Sequence, residues 1–595
     1  RVTVDGVKSK ISCCVTEYPK AEYSPTLILV FINDLVAELS HAVKAALYAD
    51  DLVMWCTEEH ATTATYRMQL AADKLTAWAQ DWCVSINKEK SSTTLFTLSN
   101  KQKAGTIKLG DTPLKQEDEP TYLGVTFDKR LTWKPHIQQT EAKARRKLAI
   151  MRKLTGTSWG ANANTLKTVY QGAVRPVLEY AASAWSSTAK TNLTSIDKVQ
   201  NQALRITTGA MKTTPIAAME STTNIQPLSK RRESKIMIQA EKYKALREHP
   251  MQEKLENIPR HRLKRGSFVH NSKKLSRQHR DKLPTTVLPL LTHREREPWD
   301  TSSTNTTIRP SVPGIIPGDN QSDIVKRTLT LATITENYPE EAWIHVYTDG
   351  SATNAVSDGG AGVNISYPDG THYAICLPTG RFCSNYTAEV KALERAAEEI
   401  ADSTSDCQQV VFFTDALSVL QALPSDNLEQ LSASLSRVSS NRRTVLQWVP
   451  SHCGVPGNET ADQLAKLGAS APQTNNSVSH KEMKTLIKAV HAPPPLKDDL
   501  NLLSRTDQVI IFRLRTEHNR LNKHMFHKLR IGASPLCPCG EAPQTGRHIL
   551  QDCSLYQQLR RRMWASDTPL QAKLYGPVPE LERTAAFISE TGLHL

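Results

Sequence analysis

A carboxylate at position 389 interrupts an apolar helical stripe, and no other feature of the chain constrains its fold as strongly. Glu389 falls among apolar residues whose spacing is that of one helix face, namely Tyr386, Val390, Leu393, Ala397 and Ile400. A buried, unpaired carboxylate is costly, so a folded protein keeps one mainly where a cation balances its charge. We therefore expect Glu389 to face a cation together with carboxylates from other segments.

Three aspartates occupy positions that suit such a site. Asp349 ends an alternating strand, Asp415 ends the apolar run 410–414, and Asp462 lies in the first turn of a helix. Four converging carboxylates would bind hard divalent cations, and Mg²⁺ held by carboxylates and substrate phosphates recurs in phosphodiester cleavage. Each aspartate alone is weak evidence, because single acidic residues at turns are usually solvated.

The segment before Asp462 adds a histidine. The apolar run 445–449 predicts a strand, and Gly457-Asn458 followed by Glu459 predicts the cap and first turn of a helix. His452 would then lie on the Gly/Pro-rich loop between the strand and the helix. A lone loop histidine is usually a solvated side chain, so its interpretation depends on the carboxylates around it.

Four motifs follow one another in the chain: D-G-S at Asp349, Y-T-A-E at Glu389, F-T-D-A at Asp415, and W-V-P-S-H-C-G-V-P-G-N-E-T-A-D ending at Asp462. Their order resembles that of the type 1 ribonuclease H family, which cuts the RNA strand of RNA–DNA hybrids. The resemblance implies that these four carboxylates bind two Mg²⁺ ions and that His452 helps proton transfer or product release. It also implies a ribonuclease H domain over residues 341–472.

The strand pattern of this domain predicts a mixed sheet. Apolar runs at 343–348, 361–367 and 372–376, with a turn at Pro368-Asp369-Gly370, predict an antiparallel meander. The later order of helix, strand, helices, strand and helix predicts added parallel strands. With the resemblance, we expect a multidomain α/β chain whose ribonuclease H-like mixed sheet has five strands and flanking helices.

Composition limits the partners and the compartment. The chain has 595 residues and a net charge of +14, which favours a polyanionic partner. The mean hydropathy is −0.43 and the longest apolar stretch, Thr26 to Ile32, is too short to span a bilayer, so we expect no membrane partner. The eleven cysteines are scattered and odd in number, which predicts a reducing, intracellular location in the nucleus or cytoplasm.

A second acidic motif lies near the N-terminal end of the sequence. Tyr48-Ala49-Asp50-Asp51 separates two apolar runs and predicts a hairpin tip, where one or both aspartates could hold Mg²⁺ against a nucleoside triphosphate. Pairs of aspartates are also common on solvated turns. An amphipathic helix at 61–80, Lys90 and a strand at 122–125 follow the motif.

This order resembles the palm of non-LTR, jockey-like retrotransposon reverse transcriptases, as do the preceding segments 25–27 and 31–35. The resemblance implies that Asp50 and Asp51 are catalytic aspartates and that Lys90 protonates the leaving pyrophosphate. The family's P-Q-G segment is missing near 19–22, and a further aspartate and the fingers would precede Arg1. We therefore expect a polyprotein fragment with a truncated α+β palm over 1–135 that does not polymerise by itself.

Residues 136–282 are predicted to form a helical, basic thumb or connection. One basic cluster comprises Lys143, Arg145, Arg146 and Lys147, and a second lies at 230–244. By position after the palm, these side chains would contact the phosphates of a duplex. The alternative is that they are solvated helix faces.

Two polar linkers and a cysteine-containing tail complete the predicted organisation. Residues 283–340 are rich in Ser, Thr, Pro and Asn and predict a linker, and 473–530 predict a linker with a helical segment. The tail, 531–595, holds three thiols and an imidazole that suit tetrahedral Zn²⁺: Cys537, Cys539, His548 and Cys553. Scattered, unligated residues are the alternative. The tail resembles the C-terminal Cys/His motif of jockey-like polyproteins.

Two classes of function follow. One is a two-metal RNA–DNA hybrid ribonuclease within a retrotransposon polyprotein, with an incomplete reverse transcriptase. The other is a catalytically silent remnant that binds RNA and DNA duplex backbones. The complete carboxylate set favours the first for the ribonuclease region, and the missing polymerase parts favour the second for the palm.

Overall fold

The computed structural model describes residues 3–4, 7–8, 35, 42–247, 249–258, 266–290, 306–316, 321–425, 428–494 and 498–595. The chain divides into two compact units, the first comprising 1–223 and 496–595 and the second comprising 224–495. The polymerase-like segments 25–27 and 31–34, and residues 19–22 where the P-Q-G segment is missing, lie outside the described residues. In the described ranges, no helix is both long and apolar enough to cross a membrane.

The first unit begins with short paired strands. They are β1 Thr3–Val4, β2 Val7–Lys8, β3 Lys44–Tyr48, β4 Asp51–Trp55, β5 Ser92–Thr93, β6 Lys108–Leu109, β7 Thr112–Pro113, β8 Lys115–Gln116, β9 Thr121–Tyr122 and β10 Val125–Thr126. Strands β3 and β4 form an antiparallel hairpin in which Tyr48 pairs with Asp51. Ala49, with a φ of 52°, and Asp50 form its two-residue turn, which confirms the predicted hairpin tip.

Helices follow these strands in the first unit. They are α1 Ala61–Asp81, α2 Lys134–Leu154, α3 Ala163–Val169, α4 Arg175–Glu179, α5 Lys190–Thr208 and α6 Ile216–Thr223, with a π-helical turn at Tyr170–Val174. Helix α1, predicted from its amphipathic pattern, buries Ala72, Leu75 and Trp78 in a core that includes Leu47 and Leu52 of the hairpin. This packing stabilises the hairpin, because a two-stranded ribbon alone is marginal in water.

The second unit begins with three helices, α7 Leu228–Ala245, α8 Pro250–Glu256 and α9 Phe268–Gln278. The division into units at residue 223 therefore cuts the region 136–282 that the sequence predicts as one domain. The reason lies in the packing, since Ile236 and Met237 of α7 and Leu275 of α9 share a core with residues 478–487.

The centre of the second unit is a six-stranded mixed sheet. Its strands are β11 Thr306–Arg309, β12 Ile344–Thr353, β13 Ser357–Ser366, β14 His372–Gly380, β15 Gln409–Thr414 and β16 Arg443–Trp448, in the order β11-β16-β15-β12-β13-β14. Strands β12, β13 and β14 are antiparallel, whereas β11, β16, β15 and β12 are parallel. The predicted meander and mixed sheet are confirmed, but the predicted number of five strands is wrong.

The sixth strand, β11, and a helix lie within the segment 283–340 that the sequence predicts as a linker. Strand β11 pairs in parallel with β16, and Ile308 packs on the core. The helix, α10, spans Asp323–Asn337. The hydroxyls of its buried Thr330 and Thr333 donate to the carbonyls four residues earlier, at 2.7 and 2.8 Å. These bonds allow polar residues to be buried within a helix, where the composition predicts a linker.

The remaining helices of the unit cover both faces of the sheet. They are α11 Asn385–Asp402, α12 Leu417–Ala422 with a 3₁₀ turn at Leu423–Ser425, α13 Glu429–Ser439, α14 Pro456–Ser470 and α15 His480–His491. Val346 of β12 packs in the core that includes residues of α11 and α13, and its neighbour Tyr347 packs in the core that includes Ile334 of α10 and Ala461 of α14. Successive strand residues thus point to opposite buried faces.

The C-terminal tail folds onto the first unit. Its elements are a 3₁₀ turn at Asp499–Leu502, α16 Arg505–Thr516, α17 Asn522–His524, π-helical turns at Met525–Leu529 and His548–Asp552, a 3₁₀ turn at Ser554–Tyr556, α18 Gln557–Met563, α19 Leu570–Tyr575 and α20 Val578–Glu590. Arg505 donates to the carbonyl of Ile206 at 2.8 Å, and Arg513 donates to that of Gly209 at 2.9 Å. These bonds satisfy carbonyls at the end of α5 and hold α16, which lies in the predicted region 473–530, within the first unit.

Candidate active site

Two aspartates lie side by side at the ends of the central parallel strands. Thr348 of β12 pairs with Thr414 of β15. Asp349 follows Thr348, and Asp415 follows Thr414. The strand register therefore brings together two carboxylates that are far apart in the sequence. Asp349 is buried, with 6% of its surface exposed.

Helix α11 brings Glu389 to the same point because a glycine lets it approach the sheet. A Cβ atom at Gly350 would lie 2.2 Å from the backbone nitrogen of Glu389, which real side chains do not allow. One carboxylate oxygen each from Asp349, Glu389 and Asp415 lies within 4.8 Å of the others. Three of the four predicted carboxylates thus form one cluster.

The fourth carboxylate comes from α14. A Cβ atom at Gly362 of β13 would lie 2.1 Å from the carbonyl oxygen of Ala461, so this glycine allows α14 to pack closely on the sheet. Asp462, the next residue, is buried and accepts a hydrogen bond of 2.5 Å from the ammonium of Lys466. It lies close enough to Asp349 for its charge to raise the pKa of that aspartate.

Burial and mutual repulsion make full ionisation of this cluster unfavourable. Burial, followed by the charges of Asp415 and Asp462, raises the pKa of Asp349 to about 8. Burial, followed by the charges of Asp349 and Asp415, raises the pKa of Glu389 well above its usual value. Burial also raises the pKa of Asp415, against the opposing influence of His452.

An unsatisfied oxygen shows that the cluster suits a cation. Among the described residues, Oε2 of Glu389 is buried and has no hydrogen-bond partner. Buried carboxylate oxygens are normally paired, and a group of them without enough donors is the oxygen-rich environment that Mg²⁺ prefers. The residues present therefore fit a divalent hard cation.

His452 lies on the loop between β16 and α14, as predicted. It is exposed and adopts a left-handed backbone with a φ of 50°. Ligand atoms of His452, Glu459 and Asp462 lie within 4.8 Å of one another. The backbone N–H of Gly454 donates to Oε1 of Glu459 at 3.1 Å, so α14 anchors the loop that carries the imidazole.

Helix α14 begins earlier than the sequence predicts. It starts at Pro456, with Val455 as N-cap, whereas Gly457-Asn458 was the predicted cap. Proline is favoured in the first helical turn because its missing N–H needs no partner there. Asn458 is consequently a helical residue, buried, and its side chain hydrogen-bonds to Asp415.

Sequence reasoning missed Asn458 and Lys466 as members of the site. Both flank Asp462 at a spacing of four residues, which places all three side chains along one face of α14. Asn458 contacts Asp415 and Lys466 contacts Asp462. The spacing was the available signal, but it becomes informative only once the helix start is known.

The predicted zinc ligands form a second cluster, in the tail. Sγ of Cys537 and Sγ of Cys553 are 3.7 Å apart, and Sγ of Cys539 is 3.2 Å from Nε2 of His548. One ligand atom from each of the four lies within 4.8 Å of the others. Gly540, with a φ of 80°, closes the tight turn by donating to the carbonyl of Cys537 at 2.9 Å.

The residues of the predicted polymerase motif do not form such a cluster within the described part of the chain. Asp50 and Asp51 are exposed at the hairpin tip. Neither belongs to a group of three or more potential metal ligands among the residues that the structure describes. Lys90 is exposed in a turn, where its backbone N–H donates to Oδ1 of Asn87 at 3.0 Å.

The two predicted basic clusters differ in exposure. The first is exposed along α2: Lys143, Arg145, Arg146 and Lys147. In the second, Arg232 is buried with 7% of its surface exposed, and Arg231 and Lys235 are half-buried. Burial of Arg232, on a helix that packs against α9 and α15, fits neither a solvated helix face nor a phosphate contact at that position.

Comparison with known proteins identifies the domain that carries the carboxylates. Residues 341–470 match the RNase H family. This part of the chain is a ribonuclease H domain. Residues 21–127 match the reverse transcriptase (RNA-dependent DNA polymerase) family, so both predicted resemblances are confirmed.

Proteins with partial similarity to this chain come from retrotransposons and bacteria. A probable RNA-directed DNA polymerase from transposon BS and the polymerase from mobile element jockey, both of Drosophila melanogaster, are each 30% identical to this chain, over 31% and 35% of it. The matches cover only 21% and 24% of those relatives. Ribonuclease H of Pectobacterium atrosepticum is 27% identical over 22% of this chain and 94% of its own length.

Solved structures of ribonucleases H are also similar to this domain. The enzyme of Halobacterium salinarum is 22% identical, covering 22% of this chain and 98% of its own, with a TM-score of 0.18. LC11-RNase H1 in complex with RNA/DNA hybrid is 21% identical, covering 21% of this chain and 96% of its own, with a TM-score of 0.19.

Proposed function

We propose that this chain cleaves the RNA strand of RNA–DNA hybrids, with Mg²⁺ ions bound by its ribonuclease H domain. The observation that carries the proposal is the cluster of Asp349, Glu389 and Asp415, whose ligand oxygens lie within 4.8 Å of one another. The unpaired oxygen of Glu389 and the elevated carboxyl pKa values support a cation there.

Each residue then has a distinct role. Asp349, Glu389 and Asp415 would hold one ion, and Asp462, beside Asp349, would complete the site of a second. Mg²⁺ bound there would stabilise the negative charge that develops on the phosphate and lower the pKa of the attacking water. Asn458 orients Asp415, and Lys466 orients Asp462.

His452 would transfer protons at the edge of the site. Its imidazole is exposed on a loop, and its influence on the pKa of Asp415 shows that the ring is close to that aspartate. A ring nitrogen in this position can exchange a proton with solvent while the carboxylates remain bound to cations. Its loss should therefore slow the reaction without abolishing it.

The charge of the chain supports a duplex substrate. The net charge is +14, and α2 exposes four basic residues that we propose contact phosphates. A ribonuclease H with this fold has been solved with an RNA/DNA hybrid, and we propose the same class of substrate here. The 2′-hydroxyl groups of the RNA strand would distinguish it from DNA.

The decisive experiment compares substrates with and without metal. The purified chain is incubated with end-labelled RNA–DNA hybrid, single-stranded RNA and duplex DNA, with Mg²⁺ or with EDTA. We expect cleavage of the RNA in the hybrid only, and only with Mg²⁺. Hybrid binding without any cleavage would instead support the alternative function, a silent nucleic-acid-binding remnant.

We also propose that the tail binds one Zn²⁺. Zn–S bonds of about 2.3 Å in a tetrahedral site place two sulfurs about 3.8 Å apart. The separation of Cys537 and Cys553 is 3.7 Å, and Cys539 and His548 supply the other two ligands. Three thiolates and one imidazole form a closed structural site without a position for substrate.

A further inference from the structure

Helix α15 lies in the same compact unit as the ribonuclease H domain, although the family match ends at residue 470. Its exposed charged side chains are all positive: Lys481, Lys484 and Lys488. Positions separated by three and four residues share one face of a helix, so these lysines form a continuous stripe. We refer to them as the lysine stripe.

The one acidic residue of α15 faces inward and fastens the helix to the domain. Oε2 of Glu482 accepts hydrogen bonds of 3.0 Å from both the N–H and the hydroxyl of Ser479, the N-cap of α15. Oε1 accepts bonds of 3.1 and 3.0 Å from the N–H and the hydroxyl of Ser384, the N-cap of α11. One carboxylate therefore joins the first turns of two helices.

Further contacts join the two segments that precede α11 and α15. The side-chain amide of Asn476 donates to the carbonyl of Phe382 at 2.9 Å, and Oε1 of Gln473 accepts from the N–H of Gly380 at 2.9 Å. Met483, Leu486 and Ile487 of α15 are buried in a core against which Val356 and Phe382 pack. The position of α15 relative to α11 is thus fixed by both polar and apolar contacts.

The lysine stripe starts close to the carboxylate cluster. The ammonium of Lys481 lies 5.4 Å from the centre of the Tyr386 ring. Tyr386 precedes Glu389 by three residues on α11, so the two side chains occupy neighbouring positions on one helix face. Lys481 therefore lies against a residue that is about one helical turn from Glu389.

The stripe has unbalanced charge and a length that suits a nucleic-acid strand. No carboxylate lies within salt-bridge distance of Lys481, Lys484 or Lys488 in the described part of the chain, whereas Lys391 of α11 pairs with Glu394 at 2.6 Å. The stripe spans about 10 Å at 1.5 Å per residue. Phosphates of one strand are spaced by about 3.4 Å along the axis of a duplex, so this length matches about three of them.

We propose that the lysine stripe of α15 binds the phosphate backbone of the RNA–DNA hybrid next to the carboxylate cluster. The proposal rests on the proposed function, because it takes the hybrid as the substrate. The stripe would add affinity independent of sequence and hold the duplex in register with the site, since phosphate contacts position a protein without reading bases.

The test measures binding as a function of salt in a background that does not cleave. Lys481→Gln, Lys484→Gln and Lys488→Gln are combined in the Asp349→Asn chain, and anisotropy of a labelled hybrid is recorded at several salt concentrations. Each lost phosphate contact makes the negative slope of log K against log salt shallower by about 0.9. We therefore expect the magnitude of the slope to decrease by about 2 to 3 in the triple variant. In the otherwise unchanged chain, KM should rise more than kcat falls.

A matched control separates the stripe from general charge. Lys273, Lys274 and Arg277 of α9 are exposed in the same unit, and their replacement by Gln removes the same charge. The control should keep the original slope. An unchanged slope in the stripe variant, or equal losses in both variants, would refute the proposal. If the unmodified chain never cleaves the hybrid but binds it through the lysine stripe, the proposed function is refuted and the proposed binding surface is supported.

Discussion

The chain contains two acidic motifs of similar composition that the fold treats differently. Asp349, Glu389 and Asp415 come from three separate segments, and their ligand oxygens converge within 4.8 Å. Asp50 and Asp51 are neighbours in sequence and remain exposed at the tip of a two-stranded hairpin. Burial and convergence of distant segments, rather than the number of aspartates, therefore create a cluster that suits a cation.

The largest expected effect follows from removing a carboxylate of the convergent cluster. Asp349→Asn should lower the rate of hybrid cleavage by about a thousandfold, a barrier increase of about 4 kcal/mol, because the proposed metal site loses a central ligand. Single-turnover cleavage of a labelled hybrid measures this. Asp369→Asn, at the exposed turn between β13 and β14, is the matched control and should cleave at the original rate. Comparable rates in both variants would show that the site is misplaced.

The tail offers a second convergent cluster with softer ligands. Cys539→Ser should abolish binding of one Zn²⁺ per chain, since the remaining three ligands leave the tetrahedral site open. Metal analysis of the purified full chain after dialysis measures the loss. Hybrid cleavage should persist, because the carboxylates belong to the other compact unit. Cys376→Ser, at an exposed cysteine outside the cluster, should retain the metal. Equal zinc contents in the two variants would contradict the assignment.

Burial of the carboxylates also predicts how metal-free stability depends on pH. The pKa of Asp349 is raised to about 8 in the folded chain, so between pH 4 and 8 the folded state binds more protons than the unfolded state and stability falls as pH rises. Asn at this position cannot ionise. Above pH 8, Asp349→Asn should therefore raise the free energy of local opening, measured by hydrogen exchange in β12 and α11, by about 2 kcal/mol. The effect is smaller than the pKa shift of Asp349 alone would give, because the clustered acids share their protons.

The exposed motif supplies the control for this prediction. Asp50→Asn should change local stability by less than about 0.5 kcal/mol at any pH, as is usual for surface substitutions. The difference between Asp349→Asn and the unmodified chain should vanish near pH 4, where the carboxyl groups are protonated. Mg²⁺ should restore the stability of the unmodified chain, since it binds only the folded state. A stability difference between Asp349→Asn and the unmodified chain that does not depend on pH would exclude ionisation of Asp349 as its cause.

Sequence reasoning was sufficient where a motif lies on a regular element with a strong pattern. The helix with Glu389 and the strands that end in Asp349 and Asp415 have clear apolar periodicity, so their elements were predicted. Strand β11 and helix α10 were not predicted. Threonines recur in both segments, and a threonine hydroxyl can bond to its own helix backbone and become buried, which composition alone does not reveal.

Contacts between distant segments were the other feature that the sequence did not reveal. Asn458 joins the site because α14 starts at Pro456, and Glu482 reaches Ser384 across 98 residues of sequence. Neither contact follows from local spacing, since each depends on where two helices pack. These contacts nevertheless determine how firmly the carboxylates are held, so we expect them to affect catalysis.

The smallest expected effect concerns Glu482, which contacts no reacting group and acts by positioning α11. Its two carboxylate oxygens each serve one helix start, and a glutamine has only one carbonyl oxygen, so Glu482→Gln must leave the donors of Ser384 or Ser479 unmatched. The first turn of α11 should loosen, and the Mg²⁺ concentration for half-maximal cleavage should rise by about three- to tenfold, corresponding to about 1 kcal/mol. A purely structural role would instead lower the melting temperature without changing this concentration. Glu336→Gln, at an exposed position of α10, removes the same charge and should leave the Mg²⁺ dependence unaltered.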